Sequence, residues 1–165
     1  MHSSIKKYED IIRLIKSKIE DQKTSKLPKI IAVSKTFALD NILPLIEYGH
    51  LDYGENKVQE AIDKWSEIKI KKPQIKLHLI GKLQTNKVKF AIRIFDYIHS
   101  VDSIKLAKKI SDEQNKQNKK VKIFIQVNIG LEEQKSGVDI NKIEELLNFC
   151  KELKLDVIGL MCIPP

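Results

Sequence analysis

Six short apolar runs, separated by stretches of helical periodicity, constrain this chain more than any other feature of its sequence. The runs lie at 30–34, 52–53, 76–80, 97–101, 122–128 and 156–161. Between them, 39–48, 57–68, 87–95, 104–118 and 140–153 repeat apolar residues at helical spacing. Alternation of this kind implies a parallel sheet with right-handed crossovers. The opening MHSSIKKYEDIIRLIKSKIE reads as an amphipathic helix of mixed charge. Asn56 with Gln59 three residues on resembles a capping box, and Ser103 and Asp139 are candidate N-caps. Pro44 is expected in the first turns of its helix, where a missing donor costs least.

A doubly wound sheet and a (β/α) barrel both satisfy this alternation. No strand is followed by the G-x-G-x-x-G of a dinucleotide site. Polar residues gather instead just beyond strand ends, at Lys35, Glu55, Asn56, Gln84, Asn128 and the 161–164 run. In a barrel those loops share one rim, the face where active sites form. The expected fold is therefore α/β, a (β/α) TIM-type barrel in one domain spanning 1–165. Six strands are two short of closure, so the barrel is expected to be truncated after the sixth, its two edge strands open to pairing.

The net charge of +8 comes from 30 basic and 22 acidic residues. The lysines are interspersed with glutamates and cluster only at 69–73 and 118–122, both expected in loops. A basic balance so distributed supports non-specific attraction but no specific nucleic-acid partner. No apolar run reaches transmembrane length, and the start lacks the long apolar centre of a secretory signal. Cys150 and Cys162 show no C-x-x-C spacing, and the four histidines form no metal-binding pair. The expectation is a cytoplasmic protein without metal or membrane partners.

IIAVSKTF, residues 30–37, raises the sharpest question. Ile-Ile-Ala-Val is suited to burial on both faces, yet the run ends in a lysine. Lys35 reads either as a snorkelling surface amine or as a partly desolvated one with a lowered pKa. An amine of the second kind forms Schiff bases with aldehydes and ketones. Spacing alone leaves both readings open. Asn56, in YGENKVQEA, reads as a helix cap or a ligand contact, and the two roles can coexist. His78 reads as a satisfied core histidine, and Lys135 as a solvated loop lysine.

Taken in order, AVSKTF, YGENKVQE, HLIGKLQTNKVK, IHSVDS, VNIGLEEQKSG and GLMCIPP resemble the pyridoxal phosphate homeostasis protein family. These are barrel proteins related to the cofactor-binding domain of alanine racemase, and the resemblance runs from about Ile30 to Pro165. It implies that Lys35 holds pyridoxal 5'-phosphate as a Schiff base, that Asn56 lies beside the cofactor, and that Ile80 and Met161 pack near its ring. It also implies an intracellular store of the cofactor without turnover, monomeric at full length, with apo pyridoxal phosphate enzymes as partners. Two departures stand out. Phe37 stands where many relatives carry a second lysine or other polar residue, and the chain stops before the serine-containing loop and Arg-Gly segment that form the family's phosphate cup and the partner of the pyridine nitrogen. A racemase would need a second base on the opposite face of the substrate, and none of the four tyrosines lies in such a motif. A Schiff-base aldolase would carry its lysine on a later strand, whereas DVIGLM has none at its exit.

Overall fold

Helix and strand alternate through the computed structural model, which describes residues 1–20, 26–130 and 136–164. The helices are α1 (Ser3–Glu20), α2 (Leu39–Glu47), α3 (Val58–Lys71), α4 (Val88–Ile94), α5 (Ile104–Gln117) and α6 (Ile143–Glu152). The strands are β1 (Ala32–Val33), β2 (Asp52–Glu55), β3 (Lys76–Leu79), β4 (Tyr97–Val101), β5 (Lys122–Gln126) and β6 (Asp156–Met161). All pairings are parallel, and the order in the sheet is β1-β2-β3-β4-β5-β6. A doubly wound sheet reverses its strand order part-way. Strictly consecutive order is the barrel alternative, and the chain forms a six-stranded arc of it.

Strand side chains alternate between two faces, and the pairing register carries each set across the sheet. Tyr53, Leu77, Leu79, Ile98, Ile123 and Ile125 point outward and are buried under the helices with Trp65, Ile92, Phe95 and Ile110. Val33, Gly54, His78, Tyr97, His99, Phe124, Gly159 and Met161 point inward. Helix ends follow local chemistry. The Ser103 side chain accepts from the Leu106 amide, and Asn118 ends α5 in the left-handed conformation that asparagine tolerates. Asp139 caps a 3-10 turn, Ile140–Lys142, that leads into α6.

Several expectations are corrected. The Asn56–Gln59 capping box does not form: Lys57 occupies the N-cap of α3 without a side-chain bond, and Gln59 turns instead to Asp63. Pro44 is the sixth residue of α2, inside the helix and past its first turn. Lys69 and Lys71 belong to the last turn of α3 rather than a loop, and Lys69 pairs with Asp96. The run at 30–34 is not buried on both faces. Val33 is 49% exposed, because β1 is an edge strand whose inner face meets no facing strand among the described residues. Edge position has the same effect on β6, where Ile158 and Leu160 are exposed.

Candidate functional site

Ser34 follows β1 with its side chain buried on the helix-facing side. Its hydroxyl donates to Glu55 Oε1 at 2.7 Å, and its amide donates to the Gly54 carbonyl. Glu55, the last residue of β2, is fully buried. The same carboxylate oxygen accepts from Trp65 Nε1 at 2.8 Å and from the Lys64 ammonium at 2.9 Å. A buried carboxylate is tolerable only when paired and hydrogen-bonded, and here three donors converge on it. The side chain of Lys64 is 9% exposed. It spends its other donors on the Ser34 carbonyl at 2.8 Å and Glu60 Oε1 at 3.1 Å.

The same Glu60 oxygen accepts the backbone N–H of Thr36 at 2.7 Å. That bond is the leading cause holding the Glu60 carboxyl below the usual range, with Lys64 adding to it. Thr36 sits at φ 65°, in the left-handed region. A β-branched residue is rarely found there, and the conformation costs about 1–2 kcal/mol. Both neighbours of Lys35 are therefore tied to α3. Lys35 itself is exposed, and its ammonium has no hydrogen-bond or ion-pair partner among the described residues.

Alternation carried past Glu55 places Asn56 on the inner side of the rim, and Lys35 stands in the turn that follows β1. Ile80 lies just beyond β3, its amide bonded to the Glu55 carbonyl, and Met161 ends β6 opposite Gln126. The four residues singled out in the sequence thus occupy the carboxyl ends of β1, β2, β3 and β6. Ile80 reaches inward: a Cβ on Gly54 would meet Ile80 and Ile31 side-chain carbons at 3.2 Å. Gly81 is required by contact, since a Cβ there would lie 2.3 Å from the Asn56 carbonyl oxygen. Gly81 and the Asn56 backbone thus approach closely, and the Asn56 side-chain Oδ1 is buried with no partner among the described residues. A cleft of about 340 Å³ opens beside it, lined by Asn56, Lys57, Lys82, Gln84 and Lys87. Lys135 lies outside the described residues.

Below the rim, the inner face carries a polar chain. Asp52 Oδ1 lies 2.9 Å from His78 Nε2, and His78 Nδ1 lies 2.9 Å from His99 Nε2. With Asp52 accepting from His78 Nε2–H, the Nδ1 of a neutral His78 is the acceptor, and His99 Nε2 donates to it. Tyr97 stacks on His78 and Phe124 on His99, each with ring centroids 4.2 Å apart. Burial pushes both imidazoles down, His99 to about 4. His78 is thus the satisfied core histidine expected.

Sequence reading missed Glu60, Lys64 and Trp65 as partners of the Lys35 turn. The signal was faint: the chain's one tryptophan on a helix otherwise rich in charge, with Glu60 and Lys64 four residues apart.

The alanine racemase N-terminal domain family matches residues 12–165. The pyridoxal phosphate homeostasis protein of Aquifex aeolicus is 39% identical over 138 residues, covering 83% of this chain and 60% of that protein. The protein of the same name in Haemophilus influenzae is 32% identical over 162 residues, covering 93% and 67%. Among solved structures, PipY of Synechococcus elongatus without PLP shows 34% identity and a TM-score of 0.78, covering 92% of this chain and 71% of that one. PipY with PLP bound superposes at a TM-score of 0.76 with 33% identity, covering 92% and 71%. Alanine racemase of Clostridium difficile shares the fold alone, at 17% identity and a TM-score of 0.64 over 93% of this chain and 40% of that one. The chain spans about three fifths of the length of several curated relatives it matches. By family match, identity and fold together, it belongs to the alanine racemase N-terminal domain family and, within that family, to the pyridoxal phosphate homeostasis proteins.

Proposed function

We propose that this protein binds pyridoxal 5'-phosphate through a Schiff base on Lys35 and serves intracellular homeostasis of the cofactor without catalytic turnover. The observation that carries the reading is the Lys35 turn. An exposed lysine with no partner for its ammonium among the described residues stands between two residues whose backbones are fixed by α3. The bond to Lys35 forms between the neutral Nζ and the aldehyde carbon, with loss of water, once the ammonium has released its proton to solvent.

The residues present fit the aldehyde and ring end of such a group. Asn56 offers a buried amide oxygen without a partner among the described residues, Gly81 approaches its backbone closely, and Ile80 and Met161 supply apolar contact from the inner face. The bound cofactor would supply an electrophilic carbonyl and a conjugated ring, which the chain's own side chains lack. The relatives' names and the PLP-bound PipY structure favour this cofactor for the family. Apo-enzymes that use the same cofactor are the proposed recipients, and the cytoplasm is the proposed site of action.

The test is borohydride trapping. Pyridoxal 5'-phosphate is added to the purified chain, the product is reduced, and the adduct is located by peptide mapping. The expected product is an adduct on Lys35, lost in Lys35→Ala with the far-ultraviolet circular dichroism unchanged. An adduct on Lys82 or Lys135 in the wild type would defeat the assignment.

A further inference from the structure

We infer that Glu60, backed by the buried Glu55–Lys64 pair, is a clamp that holds the Lys35 turn in its left-handed conformation, which makes these three residues positioning residues for the amine. The inference rests on the reading of Lys35 as the covalent anchor. A strained backbone persists only where its surroundings over-determine it. Thr36 meets that condition: its amide is held by Glu60 Oε1 at 2.7 Å, and Lys64 grips the same oxygen at 3.1 Å. Lys64 also holds the carbonyl of Ser34 at 2.8 Å, so one ammonium braces the backbone on both sides of Lys35. Glu55 fixes that ammonium from β2, and Trp65 Nε1 and Ser34 Oγ fix Glu55.

The arrangement is made by α3 and β2 rather than by the turn itself. Released from Glu60, Thr36 would relax toward negative φ, swinging the direction in which Lys35 leaves the backbone. Small misplacements of a reacting group are costly in rate. The clamp therefore sets how fast the amine captures an aldehyde, whereas the identity of the amine is set by Lys35 alone.

Glu60 is the variant of choice because its side chain is partly exposed and Lys64 keeps Glu55 as its ion-pair partner when Glu60 is removed. The rate of borohydride-trapped labelling at Lys35 is measured in the full 165-residue chain with pyridoxal 5'-phosphate as probe. Glu60→Ala is expected to slow labelling about tenfold. Glu60→Gln, which keeps an acceptor for the Thr36 amide, should stay within about twofold of wild type on the same grounds. Thr36→Gly makes the left-handed turn free of side-chain strain, so Glu60→Ala should cost little in that background. In the protein without cofactor, hydrogen exchange at the Thr36 amide should accelerate in Glu60→Ala. Wild-type labelling rates in Glu60→Ala, or an equal loss in the Thr36→Gly background, would overturn the clamp while leaving Lys35 as the anchor. Wild-type labelling at another lysine would overturn the anchor itself.

Discussion

Gly81 shows how tightly one residue governs the rim. An added methyl group would press on the Asn56 backbone, which neither chain segment can easily vacate. Gly81→Ala is expected to cost about 1–3 kcal/mol, measured by urea denaturation, and to weaken cofactor retention through Asn56. Trp65 has an equally defined role. Trp65→Phe preserves most of the ring but removes a donor from a fully buried carboxylate. A loss of about 1–3 kcal/mol is expected by the same measurement. Residues such as these were only partly legible in the sequence. Lys35 is conspicuous at the exit of an apolar run, and Asn56 stands out through the Gly-Glu-Asn stretch that carries part of the family resemblance. Glu55 was seen as a rim residue, but nothing local marks a glutamate as buried. Its three donors come from positions 34, 64 and 65, brought together only by strand pairing and a helix crossover.

At the scale of elements, β2, β3 and β4 form a unit through the Asp52–His78–His99 chain. His99 is held near 4, below its ordinary value of about 6.5. The unfolded chain therefore binds a proton that the folded one refuses between those values. Stability from this group is full above about pH 6.5 and is lost as the pH falls toward 4, by about 1.4 kcal/mol per pH unit at most. His78 and His50 are lowered in the same direction and add to the loss. Urea midpoints at pH 7 and pH 5 should differ in the wild type. They should draw closer in His99→Gln, whose amide can still donate to His78. The bounds of strands 97–101 and 156–161 are legible in the sequence to the residue, the first run set off by Asp96 and Asp102 and the second opened by Asp156. β2 was read two residues short because Gly54 and Glu55 do not look like strand. The glycine is there to admit Ile31 and Ile80, a reason visible only across strands. Asn56 resembles the cap of α3 in one dimension, but the helix begins at Val58 with Lys57 at the N-cap, one residue beyond the reach of that pattern.

For the whole molecule, the two sheet edges set the expectation for behaviour in solution. Exposed Val33 on β1 and exposed Ile158 and Leu160 on β6 lie on strands with one side unpaired among the described residues. Such edges template pairing with another chain. Sedimentation velocity of the 165-residue chain should show concentration-dependent self-association, reduced by Leu160→Lys. With pyridoxal 5'-phosphate supplied, long incubation with L-alanine should give no D-alanine on chiral analysis if the proposed role without turnover holds. The consecutive strand order has a further consequence, for how the protein comes into being. Each strand pairs with the one synthesised just before it, so no pairing waits for a segment made much later. The sheet can grow by accretion, much as a repeat protein adds modules, while the chain is still leaving the ribosome. Native-state opening should then be graded along the same axis: amides of β3 and β4 exchange last, and protection declines toward β1 on one side and β6 on the other.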